Sequence, residues 1–336
     1  METTIVTDQK GFAGLESQWN VLLTAGGTGT CHSTFEWLFT WWKHFGRDRQ
    51  LVLVTTAEAG KLVGLAPFYS EADASGNRTL HFLGEGLSDY ADLIVLPERP
   101  DITDALMAAL LKDHAQWSAV DFEELPEWSV HSSFYERLAA AGGHAVLQGR
   151  TVRCPYLPIT TTWEDFFSTM GNSFRHDLHN KQNRCLRSGI TLQYSSRYTV
   201  DSVFLDAVVG LSAKRQLNDE HRSPFVNHPD QEFLRDVLPL MGRHHLLRIG
   251  ELRNGDALVS FALAFYWNGV VYDWNTQYDP DYQQYSVGRM TLVSLIEQTF
   301  REKCREFDFM RGEEAYKFQW TSYTRSNRFV RSAGIE

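Results

Sequence analysis

The chain has 336 residues, 43% of them hydrophobic, with ten tryptophans and a formal net charge of −10. That length exceeds the usual reach of one hydrophobic core and predicts two domains. The acidic balance argues against broad adhesion to DNA and leaves room for a local basic patch. No apolar run approaches the ~20 residues that span a bilayer, and Met1–Phe12 lacks the basic-then-apolar order of a secretion signal. Cys31, Cys154, Cys185 and Cys304 lie far apart without a CxxC pair, so neither a disulfide framework nor a zinc site is expected. The expectation is a cytoplasmic protein with reduced, buried thiols and no bound metal.

In chain order, Trp41 and Trp42 read as core aromatics. Leu51–Val54 and Lys61–Tyr69 read as strands around the turn Glu58-Ala59-Gly60, followed by strands at Thr79–Leu83 and Ala91–Leu96. After Pro97, apolar Ala105, Leu106, Ala109 and Leu110 predict a helix from Ile102 to His114. A strand at Ala119–Leu125 and a helix at His131–Ala141, closed by Gly142-Gly143, complete the first half. Prolines interrupt the chain around Val152–Pro158 and set the boundary there, giving domains 1–155 and 156–336.

The second half opens with Trp163–Met170, continues into a basic helix Phe174–Arg187 stopped by Gly189, and then adds helices at Asp201–Arg215 and Gln231–Gly242. From Leu246, three apolar runs are tied by Arg253-Asn254-Gly255-Asp256 and Trp267-Asn268-Gly269-Val270. Asn-Gly between alternating hydrophobics signals a hairpin whose central residues take positive φ. A loop from Tyr278 to Arg289 follows, then a helix Arg289–Lys303 with Leu292, Val293, Leu295, Ile296 and Phe300 on one face, then the strand-like Glu306–Met310. The order strand, strand, strand, helix, strand, helix recurs in both halves with no residue-level repeat.

The loop places small residues and a helix start beside a sheet, where unpaired N–H groups and the helix dipole together hold a phosphate. Its Gln283-x-x-Ser286-x-Gly288 resembles the Gln/Arg-x-x-Gly-x-Gly/Ala loop with which the GNAT superfamily of N-acyltransferases cradles the pyrophosphate of coenzyme A. Ser286 stands in place of the first glycine, which keeps N–H donation and reduces conformational freedom. Gln283, Tyr285, Ser286, Val287, Gly288 and Arg289 are the cofactor-binding candidates, with acyl-CoA as a co-substrate and no permanently bound cofactor.

Further stretches resemble a narrower group, the CelD/BcsL-like acetyltransferase-like family associated with cellulose and exopolysaccharide biosynthesis. They are Phe35-Glu36-Trp37-Leu38 with Trp41-Trp42, Gly64 to Tyr69, Phe82 to Gly86 with Ser88 to Asp92, Tyr278-Asp279-Pro280 with Ser286-x-Gly288, and Phe307 to Trp320. Together they cover nearly the whole chain. The resemblance implies an α/β (α+β) fold of tandem GNAT-like domains, each a mixed, mostly antiparallel sheet flanked by helices, similar to the Fem-type transferases. It also implies an acyl donor in the second domain.

Amide formation from a thioester needs a neutral amine, donors for the tetrahedral oxyanion, and a proton source for the departing thiolate. Alternation along Val270–Tyr278 groups Asp273 with Asn275 and Gln277. Asp273 is the candidate base, a partly buried carboxylate whose pKa is raised; a surface carboxylate at a sheet edge is the competing reading. Gly312 to Lys317 falls at the carboxyl end of the sheet. There Tyr316 is the candidate proton donor, a role implied by the GNAT resemblance, and Glu313 a second base. Lys317 and Trp320 are substrate-binding candidates, with simple helical packing of Tyr316 on Trp320 as the alternative.

In the basic helix, Arg175 and Arg184, with Lys181 and Arg187, are candidates to grip phosphate, against the reading of a solvated face. His176 and His179 show no third metal ligand. Asp89 and Tyr90, after Gly84-Glu85-Gly86, hold an acceptor amine or cap a turn. Pro97 and Pro100 stand where a phosphate loop would follow, so the first half is not expected to bind coenzyme A.

The function expected is direct acyl transfer from acyl-CoA to a primary amine, since no Ser or Cys sits in a nucleophile elbow. The acceptor expected is an envelope-related amino sugar or an amino lipid such as a sphingoid base, which is compatible with peripheral membrane contact. The alternatives are a Fem-type aminoacyl-tRNA-dependent transferase and a non-catalytic partner of a polysaccharide synthase.

Overall fold

A computed structural model of the chain describes residues 1–112, 117–195, 200–217 and 223–332. They divide into two units. The first takes Met1–Cys154 together with Arg311–Glu313 and the C-terminal strand, and the second takes Pro155–Met310 and Glu314–Tyr323.

Unit 1 starts with β1 (Glu2–Val6), α1 (Gln9–Ala13), α2 (Glu16–Gly26) and α3 (Phe35–Phe45), none of which is among the expected elements. The Asp8 carboxylate caps α1 by accepting from the Gly11 N–H at 2.7 Å, which satisfies one orphan donor of the first turn. In α3, Phe35, Trp37, Leu38, Trp41 and Trp42 are all buried. These residues form a broad apolar face, opposite Glu36, Thr40, Lys43 and His44, that packs into the core. Next come β2 (Gln50–Glu58), β3 (Lys61–Ala72), β4 (Arg78–Phe82), β5 (Ile94–Val95), α4 (Pro100–Lys112), β6 (Ala119–Pro126) and α5 (Ser132–Ala139). Asp113 and His114, expected to end α4, lie outside the described residues. The sheet order is β1-β2-β3-β4-β6-β13, where β13 is Thr324–Ser332. A boundary between residues 155 and 156 does not capture this return of the chain's last strand to β6.

The strand β7 (Val146–Pro158) leads into unit 2, which contains α6 (Trp163–Thr169), α7 (Asn172–Arg187), β8 (Ile190–Ser195), α8 (Ser202–Gln216), α9 (His228–Arg243), β9 (Leu247–Asn254), β10 (Ala257–Trp267), β11 (Val270–Tyr278), α10 (Val287–Arg301) and β12 (Glu306–Asp308). From the end of β7 its sheet runs β7-β12-β11-β10-β9-β8, antiparallel except for the β11–β12 pair. Val287, Leu292, Leu295, Ile296 and Phe300 of α10 join one core cluster with Val259, Ala262, Ala264, Val271 and Phe307 of the sheet. Each Val, Leu, Ile or Phe among them contributes about 1.5–3 kcal/mol on leaving water, and this packing fixes where α10 begins relative to β11.

The meander forms as the turns predict, with one difference. Asn268 and Gly269 both take positive φ, 44° and 79°, in the second turn. In the first, Asn254 pairs with Ala257, so the central residues are Gly255 and Asp256, with Gly255 at φ 58°. The glycine rather than the asparagine opens that turn, which is the requirement of a II′ turn. The strand expected to reach Met310 stops at Asp308, because Met310 turns to φ 58° and donates its N–H to Asp308 Oδ1 at 2.7 Å. The helix expected after it is a single 3-10 turn, Lys317–Gln319, so the element order of the two halves is not fully repeated.

Candidate active site

The parallel pair β11–β12 is short. Val270, Val271 and Tyr272 pair with Glu306, Phe307 and Asp308, and there the pairing ends while β11 runs on to Tyr278. Beyond Tyr272 this edge of β11 no longer pairs with β12, which ends at Asp308. A cavity of about 350 Å³ is lined on one side by Thr276 and Tyr278 of β11. Ser286, Val287, Gly288, Arg289 and Leu292 at the start of α10 form another wall, and Tyr316, Gln319 and Trp320 a third. That volume falls within the range of small-ligand pockets, roughly 300–1,000 Å³.

The floor of the cavity is the start of α10. Ser286 is in the left-handed conformation, φ 54° and ψ 40°, and its side chain makes no cap to α10. The first helical bond is the Met290 N–H to the Ser286 carbonyl at 3.1 Å. Among the described residues no group accepts from the N–H of Val287, Gly288 or Arg289. Three orphan donors and the positive end of a helix dipole therefore point at the same space. Ser286 adopts the backbone conformation that a glycine takes most readily, and this places the helix start two residues earlier than the expected Arg289. Gly288 is needed for a different reason: a Cβ there would lie 3.0 Å from Cδ1 of Tyr278. Its absence lets the helix start approach the strand.

Asp273 is the first residue of β11 past its pairing with β12. The expected alternation is broken by a bulge, since Asp273 pairs with Ala264 and Asn275 with Leu263, leaving Trp274 as an extra residue. The phase of the strand shifts, so Asp273 shares a face with Thr276 and Tyr278 and not with Asn275 and Gln277. Thr276 Oγ1 donates to Asp273 Oδ1 at 3.4 Å. Asp273 is 6% exposed. Burial raises its pKa to about 7; the positive charge of Lys317 works against that rise, and Glu314 and Asp308 reinforce it. Lys317 is itself 3% exposed and paired with Glu314 at 3.0 Å. Tyr316 lines the cavity with 40% of its surface exposed. Burial against the cavity wall, then the charges of Asp273 and Glu314, hold its phenol above the usual tyrosine range. A carboxylate poised near neutrality and a phenol kept protonated have the protonation states that a general base and a general acid require.

Of the other expected residues, Gln283, Ser286, Val287, Gly288, Arg289 and Trp320 meet at this cavity. Trp320 is buried, edge-on to Phe174 with centroids 5.1 Å apart. The Tyr285 carbonyl accepts from Cys185 Sγ at 3.5 Å, and Arg184 lies 5.5 Å over the Tyr285 ring, so Tyr285 and Arg184 border the loop outside the cavity lining. Arg289 is partly spent: it bonds Asp177 at 2.7 Å and lies 4.7 Å over Phe174. Arg175 bonds Asn172 within its own helix. Glu313 belongs to unit 1, where Arg153 engages its carboxylate. Asp89 is also in unit 1, nearly buried and ion-paired with Arg311 at 2.9 Å, and Tyr90 packs edge-on to Trp128. All four cysteines are buried and lie outside any disulfide. No group of three metal-ligating side chains occurs among the described residues.

Sequence reasoning passed over Thr276, Tyr278, Leu292 and Gln319, and over Arg215, which lines the cavity from the end of α8. The adjacent Lys214-Arg215 in a helix's last turn was the available signal.

Residues 172–318 match the family described as acetyltransferase (GNAT) domain. None of the curated proteins matches the chain. Among solved structures, the chain is similar to FemX, with a TM-score of 0.68 at 11% identity over 98% of this chain and 97% of that one. It is similar to the C-terminal domain of a putative lysylphosphatidylglycerol synthetase from Agrobacterium fabrum, with a TM-score of 0.61 at 10% identity over 96% and 92%. It is also similar to a tandem GNAT protein from the clavulanic acid biosynthesis pathway, with a TM-score of 0.51 at 15% identity over the full length of both chains. At these identities the likeness shows the fold. The fold is α/β and tandem GNAT-like, each unit a mostly antiparallel sheet flanked by helices. No helix among the described residues is long and apolar enough to cross a membrane.

Proposed function

We propose that the chain is an N-acyltransferase that passes an acyl group from acyl-CoA directly to a primary amine. The observation that carries this reading is the convergence of three unpaired N–H groups, Val287 to Arg289, on the cavity that Tyr316 lines and that Asp273 adjoins through Thr276. The diphosphate of the donor lies against those amides, and its pantetheine arm follows the free edge of β11. Asp273, as carboxylate, takes a proton from the attacking amine, and Tyr316 gives one to the departing thiolate. Lys317, paired with Glu314 beside Asp273, serves as the base's counter-charge more readily than as a ligand for substrate.

The acceptor we propose is an envelope-related small molecule, an amino sugar or an amino lipid such as a sphingoid base. This is supported by the resemblance of Phe307 to Trp320 and the other quoted stretches to the CelD/BcsL-like family. A panel of acyl-CoAs of increasing chain length tests the donor by melting shift and then by free-thiol release with candidate amines. A ligand at a hundred times its dissociation constant stabilises by about 2.7 kcal/mol. No shift and no thiol release with any acyl-CoA would remove the reading.

A second reading, an aminoacyl-tRNA-dependent transferase of Fem type, is favoured by one observation: Arg184 on α7 is exposed and stacked beside the same loop. It predicts tRNA binding whose affinity falls steeply with salt as counterions are released, and no thermal response to acyl-CoA.

A further inference from the structure

Arg215 is the last but one residue of α8. One amino group of its guanidinium donates to the Thr276 carbonyl at 3.2 Å and to Gln277 Oε1 at 3.0 Å, and the guanidinium lies 4.5 Å from the centre of the Tyr278 ring. Gln277 and Tyr278 pair with neighbouring residues of β10, Phe261 and Ser260, and so turn their side chains to opposite sides of the sheet. A guanidinium that touches both of these side chains lies across the edge of β11, past the end of its pairing with β12 at Tyr272. It also lines the same cavity as Tyr316. Stacking and two acceptors fix its orientation, which a lysine's single ammonium on a flexible stem does not reproduce.

We propose that Arg215 receives the negative charge that leaves with the thiolate. The proposal rests on the acyl-thioester reading of the site and extends it to a residue outside the phosphate loop. As the amine nitrogen bonds to the thioester carbon, its proton passes to the Asp273 carboxylate. The carbon–sulfur bond breaks with its electron pair on sulfur, and the Tyr316 proton moves to sulfur. The proton on Asp273 then returns through water to the Tyr316 phenolate, leaving amide and free thiol. Charge builds on sulfur before its proton arrives, and a cation already fixed in place is worth most at that moment. The same positive charge opposes the rise in the Tyr316 pKa.

The test uses the full chain, with Arg215→Gln and Arg215→Lys checked for unchanged melting. Each is assayed with acyl-CoA and with two truncated donors of the same acyl group, the N-acetylcysteamine and thiophenol thioesters. The expected result is a kcat for Arg215→Gln lowered on the order of 10²-fold with acyl-CoA, with KM nearly unchanged, in line with the loss of one preorganised charge stabiliser. A similar loss is expected with the N-acetylcysteamine ester and a much smaller one with the thiophenol ester, whose thiolate needs little help, and Lys is expected to recover part of the rate. An equal loss with both truncated donors, or a loss confined to KM, would overturn the proposal and leave Arg215 as a wall or carrier contact. If the unaltered protein released no thiol from any donor, the acyltransferase reading itself would fall and this proposal with it.

Discussion

Asp273 and Thr276 present their side chains to the same side of β11, with Thr276 Oγ1 donating to Asp273 Oδ1 at 3.4 Å, because Trp274 is an extra residue against β10. Without that bulge the carboxylate would face away from Tyr278 and the start of α10. Its pKa of about 7 follows chiefly from burial, with Lys317 opposing and Glu314 and Asp308 adding to the rise.

The rate should report this titration. kcat/KM is expected to rise with pH up to about 7 and then level, as Asp273 becomes the carboxylate that accepts a proton. Asp273→Asn should abolish that limb and lower kcat/KM on the order of 10²–10⁴-fold. Lys317→Met should move the inflection to higher pH, since the charge that restrains the shift is gone. A pH–rate profile of the three proteins checks both, and an unmoved profile in Asp273→Asn would refute the assignment.

Stability should move in the opposite sense. The folded pKa of Asp273 lies above its unfolded value of 3.8, so the folded chain binds more protons than the unfolded chain between those values. This contribution is fully present below about 4 and is lost as pH rises through about 7. At about 1.36 kcal/mol per pKa unit it amounts to roughly 4 kcal/mol. Asp273→Asn should therefore melt later than the unaltered protein at pH 8 and show little gain at pH 4. Denaturant unfolding at the two pH values measures the difference.

Ser286 holds a left-handed backbone without glycine's freedom. Ser286→Gly should raise stability by up to about 1 kcal/mol while leaving donor affinity intact. Ser286→Val, β-branched at the same φ, should cost about 1–3 kcal/mol and weaken acyl-CoA binding. Melting curves with and without acyl-CoA separate the two effects.

Gly288→Ala should act through Tyr278. The new Cβ would sit 3.0 Å from Cδ1 of Tyr278, pushing the helix start off the strand and widening the amide cradle. Donor KM should rise several-fold with kcat less affected, and Tyr278→Leu in the same chain should restore part of it. Failure of that second change to help would mean that the glycine serves something other than close approach.

Tyr316→Phe removes the proton donor and keeps the ring. kcat should fall on the order of 10²-fold with KM unchanged, and the loss should be smaller with a thioester of an acidic thiol. Steady-state assays with both donors decide this.

Much of unit 2 is legible from local chemistry. Asn268-Gly269 demands a turn, and the apolar stripe Leu292, Leu295, Ile296 and Phe300 demands a helix on a sheet. Ser286 and Gly288 mark the cradle through resemblance and backbone requirement together. The bulge at Trp274 carries no signal that strict alternation can see, because its cause is the register with β10, which is long-range. Arg215 is hidden for the same reason: sixty-one positions separate it from the Thr276 carbonyl that holds it. Lys317 reads as a solvent-facing cation in isolation, and only its burial beside Glu314 makes it part of the base's surroundings. In α3 the residues Glu36, Thr40, Lys43 and His44 do mark a polar face opposite the aromatics, so that helix was legible in the sequence and was passed over.

The place of β13 in unit 1 has a consequence for synthesis. Its partner β6 ends at Pro126, and β13 begins only at Thr324. At about 5–20 residues per second, the nascent chain carries β6 with that hydrogen-bonding edge uncovered for roughly ten to forty seconds. The first unit to leave the ribosome is thus the last to be completed, and a ribosome that stalls while making the second unit strands the first with an open flank.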